Sequence, residues 1–475
     1  MRKTLLTTLA IMAVLSMLIS SCAPKVEPTA TPKPAEATKA PAEATKAPAE
    51  PAEKIELTLE MSIYVEAPHK KAFDMLEERY EELNPNVDIV LYGAPYAEFW
   101  DKLTTEIVAG TEACIVQLQG GNGNYARYAA LREGETGSFV NLDPYIKGTW
   151  MDGGLLDQEN LTYNGHYIGL ANYAWGTRAV YYRKSLFEEA GINADEILTN
   201  EDFLEAAKKL TKKKEDGTMQ YGFGAVLSTH SFVWSEFSTF VQRPASDGIF
   251  FPKEEGPFTP ENVVVNNEAN VWACQWWQDM VLKDKVVPPG SFDKAQEREL
   301  FWNGTVAMNI DGPWFLGMTR DRGEEMGVDL VADLGVFATP DVLYKGERKA
   351  SYGTQGGVTH LISSECEHPD EAWKFMEWMA SEEGQQIVAI SGMVPQNKEV
   401  MESDWYYKEY PLNAAVSEFL NTRYRLPPMT NPNIPQSGEL QRILVEASQA
   451  TFITGADCQE EYDKAAEEMK KIMAK

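Results

Sequence analysis

Positive charge is scarce in this sequence. Its 475 residues carry 43 Lys and Arg against 72 Asp and Glu, a formal charge of −29 at pH 7. That excess repels phosphate backbones and anionic lipid, which argues against nucleic-acid binding by counterion release. Histidine is scarcer still, at five: His69, His166, His230, His360 and His368. None has HExxH or HxH spacing, and no GxSxG elbow or GxxxxGK[ST] loop occurs. Catalytic groups need not be neighbours in sequence, but no motif here announces an enzyme, a metal or a cofactor. Cysteine is also sparse. Beyond Cys22 there are Cys114, Cys274, Cys366 and Cys458, far apart and without metal-ligand spacing. Four cysteines allow three pairings and also none. Cys114 lies in an apolar strand-like run and is expected to be a buried thiol.

Long hydrophobic runs are missing too. The one uncharged apolar stretch, Leu5 to Ile19, is short for a membrane span of about 20 residues and fits a signal-peptide core behind Arg2 and Lys3. Its end, Leu18-Ile19-Ser20-Ser21-Cys22, resembles a bacterial lipobox, which implies a signal peptide at 1–21 and diacylglycerol on Cys22. Residues 23–54 hold no large apolar residue except Val26, and Pro-Ala-Glu-Ala-Thr-Lys-Ala occurs at 34–40 and again at 41–47. Such a stretch cannot bury enough surface to offset its ordering entropy. Residues 22–54 are therefore expected to be a lipid anchor and an extended tether that holds a globular body outside a membrane.

From residue 55 the apolar period alternates between 2 and 3.6. Ile55-Glu-Leu57-Thr-Leu59 predicts a strand, Phe73, Leu76, Tyr80 and Leu83 a helix, and Val87–Leu91 a strand. Phe99, Leu103 and Ile107 predict a helix, and Cys114–Leu118 a strand. Helices near 202–214, 267–283, 369–390 and 439–473 and strands near 221–226 and 305–310 continue the series. This alternation predicts α/β architecture with a mostly parallel sheet, enough chain for two lobes. Lys208, Lys209 and Lys212–Lys214 are expected to form a solvated helix end.

Gly121-Asn-Gly123-Asn-Tyr125-Ala126 matches a dinucleotide fingerprint, with Asp143 about twenty residues on. Asp143, however, sits in a turn, Asn141-Leu-Asp-Pro144, and the preceding strand is the third of its domain. The geometry instead suits hydroxyl recognition. Gln119, Asn122, Asn124 and Tyr125 then become candidate ligand contacts at the carboxyl end of a strand. Tryptophan adds a second set. Twelve Trp are present, and Trp272, Trp276, Trp277, Trp373 and Trp378 lie on helices and read as packing. Trp175 and Trp314 stand beside glycine or proline in loop-like settings. An aromatic face there can stack on the C–H face of a pyranose while amides and carboxylates bind its hydroxyls.

Tyr163-Asn-Gly-His-Tyr-Ile-Gly-Leu170 followed by Thr177-Arg-Ala-Val-Tyr-Tyr-Arg-Lys-Ser-Leu-Phe-Glu-Glu-Ala-Gly-Ile192 resembles a hallmark of family 1 extracellular solute-binding proteins. These are the sugar-binding lipoproteins of ABC importers, relatives of maltose-binding protein. Further matches fall in the same order. They are Tyr96–Thr105, Val140–Ile146, Glu201–Thr211, Phe301-Trp-Asn-Gly-Thr-Val-Ala-Met-Asn-Ile-Asp-Gly-Pro-Trp-Phe315, His368–Met376, Gly392-Met-Val-Pro395 and Pro432-Asn-Ile-Pro-Gln436.

The resemblance implies a two-lobed periplasmic-binding-protein-like fold of type II with the ligand in the interlobe cleft. Lobe one would hold 55–167 and 358–392, lobe two 168–352 and 393–475, with crossings near Ile168–Asn172 and Tyr352–Val358 and the hinge crossing at 353–357. It implies a carbohydrate ligand, ABC permease subunits as partners, a monomer, and neither enzyme activity nor a cofactor. By position it brings Tyr64, Trp175, Arg178, Asp311, Trp314, Tyr352, Gln355 and Gly356 to the ligand, and Trp234 to a lobe-two wall. An ion pair is the competing role for Arg178. Two departures stand out. Many relatives read Pro-Asp where this chain has Glu112-Ala-Cys114, and Trp175 replaces an acidic or small residue. Other readings are a receptor for a polyol, a glycerol phosphoester or a polyamine, a surface polysaccharide-active enzyme, and an adhesin.

Overall fold

The structure is a computed structural model. It describes residues 54–475 apart from 120–123, 229–231, 247, 353 and 425–431, and the side chains of 96, 97, 124, 174–177, 354–356, 420 and 421 are also outside the described residues. The signal segment, Cys22, the tether through residue 53 and Asn122 therefore lie outside them, as do the side chains of Asn124, Trp175 and Gln355, while Gly356 is described only by its backbone.

The first five elements follow the apolar period. Strand β1 (Ile55–Met61) fully buries Leu57, Leu59 and Met61. The helix Ala67–Leu83 is entered through Pro68, whose missing N–H costs nothing in a first turn. It buries His69, Phe73, Leu76 and Tyr80 along one stripe. Strand β2 (Val87–Gly93), the helix Tyr96–Ala109 and strand β3 (Ile115–Gln119) complete the run. Strands β4 (Leu170–Thr177), β5 (Ala179–Arg183), β6 (Lys212–Lys213), β7 (Met219–Gly224), β8 (Val306–Asp311), β9 (Leu334–Ala338), β10 (Thr354–Ile362) and β11 (Val394–Pro395) follow.

These strands form a six-stranded sheet in the order β11-β4-β10-β3-β1-β2 and a five-stranded sheet in the order β9-β5-β8-β7-β6. In the first, β1 is parallel to β2 and β3, but β10 is antiparallel to β3 and β4, and β11 to β4. In the second, β8 is parallel to β7, and β5 is antiparallel to β8 and β9. The mostly parallel sheet expected from sequence is thus corrected to two mixed ones. Consecutive parallel neighbours need a crossover helix. Strands β4 and β5 follow one another across two sheets, so no crossover fixes their direction.

Each sheet has its own core. One gathers Leu57, Phe73, Phe99, Leu118, Ile168, Leu170, Tyr173, Leu361, Phe375 and Met393. The other gathers Val180, Phe203, Phe223, Trp277, Met308, Leu444, Phe452 and Tyr462. Each fully buried Leu or Phe contributes about 1.5–3 kcal/mol. Because Ile168 through Tyr173 fill the first core, the chain leaves that sheet at Arg178, later than the expected 168–172 crossing. Likewise residues 354–357 open β10, and 393–395 stay with the first sheet.

Two further expectations change. Cys114 is not a thiol: it pairs with Cys366, and Cys274 pairs with Cys458. Glu112, at the departure from the relatives' Pro-Asp, is tied to the body by an ion pair. Its buried carboxylate takes Arg132 at 2.7 and 2.8 Å and orders the entry to β3. The helix Asn200–Leu210 ends at Thr211, whose hydroxyl bonds Ala207 O at 2.8 Å, so Lys212 and Lys213 form the edge strand β6 rather than a helix end.

Candidate functional site

A cavity of about 400 Å³ opens where the two sheets face each other. Ile63, Glu66, His69, Pro95, Gln119, Val358 and Met393 line it from the first-sheet side. Phe232, Asp293, Lys294, Ala295, Arg298 and Trp314 line it from the other. The chain places these groups by simple means. Ile63 follows β1, Gln119 ends β3 and Trp314 follows β8, so the site sits at the carboxyl ends of strands. Glu66 and His69 lie at the start of the helix Ala67–Leu83. Asp293 caps the helix Lys294–Trp302 with its side chain, and the first turns of that helix carry Lys294 and Arg298.

Under the cavity lies a buried ionic cluster around Asp311. Arg298 grips it twice, Nε to Oδ2 at 2.8 Å and Nη2 to Oδ1 at 3.2 Å. Arg178 Nη1 and Lys294 Nζ each stand 3.5 Å from it. Burial alone would raise the Asp311 carboxyl, but Arg298 and then Lys294 hold it well below the usual range. Lys294 has three N–H donors and three acceptors, each at 2.8 Å: Glu236 Oε1, Glu297 Oε2 and Ile310 O. Burial pushes Glu297 up to about 7 against the pull of Lys294. A Cβ on Gly224 would stand 2.6 Å from Glu297 Oε1, so a larger residue there would make this carboxylate shift. The Arg178 guanidinium lies 5.0 Å from the Phe232 ring centre and 5.3 Å from that of Trp314, and so backs both aromatic walls.

His69 is buried, and its Nδ1 is 2.8 Å from Tyr173 Oη. Burial, then nearby Arg298, pushes its pKa down to about 3, so the ring is neutral. The unfolded imidazole takes a proton below about 6.5 and the folded ring does not. Its contribution is therefore full above 6.5 and falls as pH drops toward 3, by about 1.4 kcal/mol per unit. His69→Gln removes that slope. Urea unfolding at pH 7 and pH 5 should show the variant losing about 1–2 kcal/mol less than wild type. Equal losses would mean that the ring titrates normally in the fold.

Of the residues singled out from sequence, Gln119 and Trp314 line the cavity, and Arg178 and Asp311 lie beneath it. Tyr64 is next to Ile63 but turns its hydroxyl to Asp74 at 2.7 Å, with Lys70 over its ring. Tyr125 is fully buried and bonds Thr359 at 3.0 Å. Trp234 is no wall: it is 2% exposed in the second core, with Nε1 on Gln242. Phe232, two positions earlier and therefore about 200° around the helix, is the aromatic that faces the cavity. Tyr352 is half-buried and outside the lining. Sequence reasoning missed Glu66, His69, Asp293, Lys294 and Arg298. The available signal was Lys294 and Arg298 at i and i+4 behind a capping Asp293.

A more open hollow of about 550 Å³ lies beside the Cys114–Cys366 bridge, lined by Lys54, Glu56, Glu365, Glu367 and His368 among others. It has no aromatic wall beyond His368. Among the described residues no cluster of His, Cys, Asp and Glu could hold a metal ion, and no helix is long and apolar enough to cross a membrane.

Comparison with known proteins agrees with this architecture. Residues 76–415 match the family described as bacterial extracellular solute-binding protein. The arabinooligosaccharide-binding protein of Bacillus subtilis (strain 168) is 24% identical over 68% of this chain and 69% of its own. The maltotriose-binding protein of Pyrococcus abyssi is 23% identical over 75% and 70%. Among solved structures, maltose-bound MalE3 of T. maritima has a TM-score of 0.71 at 19% identity, covering 88% of this chain and all of its own. A solute-binding protein of Agrobacterium radiobacter K84 in complex with ribitol also has 0.71, at 21% identity over 89% of this chain and 100% of its own. These neighbours share the two-lobed α/β fold, and the family consists of binding proteins rather than enzymes. The chain belongs to the bacterial extracellular solute-binding protein family of ABC transporters.

Proposed function

We propose that this protein is the lipid-anchored receptor of an ABC importer, taking a mono- or oligosaccharide into the cavity between its sheets and closing on it for delivery to the permease. The observation that carries this reading is Trp314, held at the cavity by Arg178 behind it, with polar groups of Glu66, Gln119 and Arg298 around it. A flat ring beside fixed donors and acceptors suits a sugar's C–H face and hydroxyls. The relatives named for arabino-oligosaccharide and maltotriose point the same way. Closure would be hinge motion between the sheets, and the permease would read the closed population. The lipobox at Cys22 and the tether through residue 54 support anchoring, which detergent phase partition of the exported chain tests.

Charge weighs against an anionic solute. Lys294 lines the cavity but has spent all three donors on protein acceptors. Arg298 has given Nε and Nη2 to Asp311. A phosphoester would meet Glu66 and Asp293 with no uncommitted lysine to pair with. A polyol offers the same hydroxyls as a sugar, and the ribitol-bound neighbour keeps it as the second reading.

Calorimetry against neutral sugars, ribitol, a glycerol phosphoester and a polyamine tests the reading; no heat from any sugar would sink it. Trp314→Ala should weaken the best sugar by about 1–3 kcal/mol, roughly 5- to 150-fold, with the circular dichroism spectrum unchanged. Unchanged affinity would assign Trp314 to packing alone.

A further inference from the structure

Arg178 is the one residue between β4, in the six-stranded sheet, and β5, in the five-stranded sheet. It is fully buried, and its two ends face different partners. Its guanidinium backs Phe232 and Trp314, both cavity walls. Its carbonyl oxygen accepts a hydrogen bond from Tyr424 Oη at 2.8 Å. The same hydroxyl accepts from Thr339 N at 2.9 Å. Thr339 directly follows β9 and so begins the second passage between the sheets. One phenol hydroxyl thus joins these two passages, donating to one and accepting from the other. Burial pushes its pKa up to about 12, which keeps the donor proton in place at any physiological pH. The ring belongs to a small hydrophobic cluster with Ala338 of β9, Val394 of β11 and Met401, which draws members from both sheets.

We propose that Tyr424 and Arg178 are positioning residues of the hinge: Tyr424 holds the two passages in register, and Arg178 transmits the position of the Trp314 wall to the first of them. This deepens the receptor reading and rests on it only for the ligand's part. A ligand that stacks on Trp314 presses on a guanidinium whose own backbone is the crossing point. The lobe angle and the wall are then coupled through one residue, with no longer chain of contacts required.

Tyr424→Phe keeps the ring and removes the hydroxyl, which leaves Arg178 O and Thr339 N without that partner. The full chain without ligand is measured by amide hydrogen exchange and small-angle scattering. Exchange at Thr339 should speed about tenfold or more, and the scattering profile should shift from wild type as the hinge population changes. Met401→Leu, in the same cluster, should lower the melting temperature a little and leave the scattering profile in place. A lower melting temperature for Tyr424→Phe with an unmoved profile would overturn the proposal and make the hydroxyl purely structural. An equal profile shift for Met401→Leu would overturn it too. Both readouts use ligand-free protein, so a failure of the carbohydrate reading would appear separately, in the calorimetry.

Discussion

Asp311→Asn should destabilise the fold by about 3–5 kcal/mol, although the amide has nearly the shape of the carboxylate. Asp311 is fully buried and is the shared counter-ion of Arg298, Arg178 and Lys294. Removing its charge leaves the buried Arg178 and Lys294 and the half-buried Arg298 to Glu236, Glu297 and Glu66, and burial has already raised Glu66 and pushed Glu297 up to about 7. Breaking one partner of such a set is costly because desolvation of the others is no longer offset. Urea unfolding is the measurement of choice, since guanidinium would add salt. The folded pKa is depressed, so the carboxylate's contribution is present above its unfolded value of about 3.8 and is lost as pH falls through the folded value. Asp311 itself therefore adds no pH dependence to the difference above pH 5, and because its charge also helps to raise Glu297, a drift between pH 5 and pH 8 reports the altered titration of Glu297. A loss under about 1 kcal/mol would mean that the cations relax into solvent once Asp311 is neutral.

Replacing both Cys274 and Cys458 by alanine should lower unfolding stability by about 2–5 kcal/mol. Both are buried, and they tie the helix Glu268–Gln278 to the C-terminal helix Cys458–Met473 across 184 residues. A bridge closing so long a segment removes much freedom from the unfolded chain. Thermal melts of the oxidised wild type and the double variant give the answer. Identical melting temperatures would show that this pairing does not hold the second core together.

The first half of the first lobe was legible because local pattern and burial agree there. Leu57 and Leu59 alternate, Phe73, Leu76 and Tyr80 recur at a helical period, and all are buried. The crossing strands were not legible. In Leu170–Thr177 apolar and polar residues follow no period of two; the strand is paired on both edges, with β11 on one side and β10 on the other. Its conformation is imposed by β10, far along the chain. The helix Lys294–Trp302 was illegible for a different reason. Its charges look like a solvated face, yet Lys294 and Glu297 are buried because Glu236 and Asp311 bring the counter-charges from elsewhere. Cysteine pairing is a fact of the same kind, set by distance in space and invisible in spacing. At the site, Trp314 was readable from its Gly-Pro-Trp setting. The neutral His69 was not, since nothing in the helix pattern distinguishes a cavity histidine from a core one.

The two disulfides also say something about how the chain must be made. Cys114 meets Cys366, and Cys274 meets Cys458. A chain synthesised from its N terminus presents the first member of each pair long before the second. The first core waits for β10 and the helix Pro369–Ala380, and the second waits for the helices Ser437–Thr454 and Cys458–Met473. Neither half can complete itself early. Each lobe thus stays unfinished through most of synthesis, the first until past Met393 and the second until past Ile472, and oxidation locks each one only once its late segments have arrived.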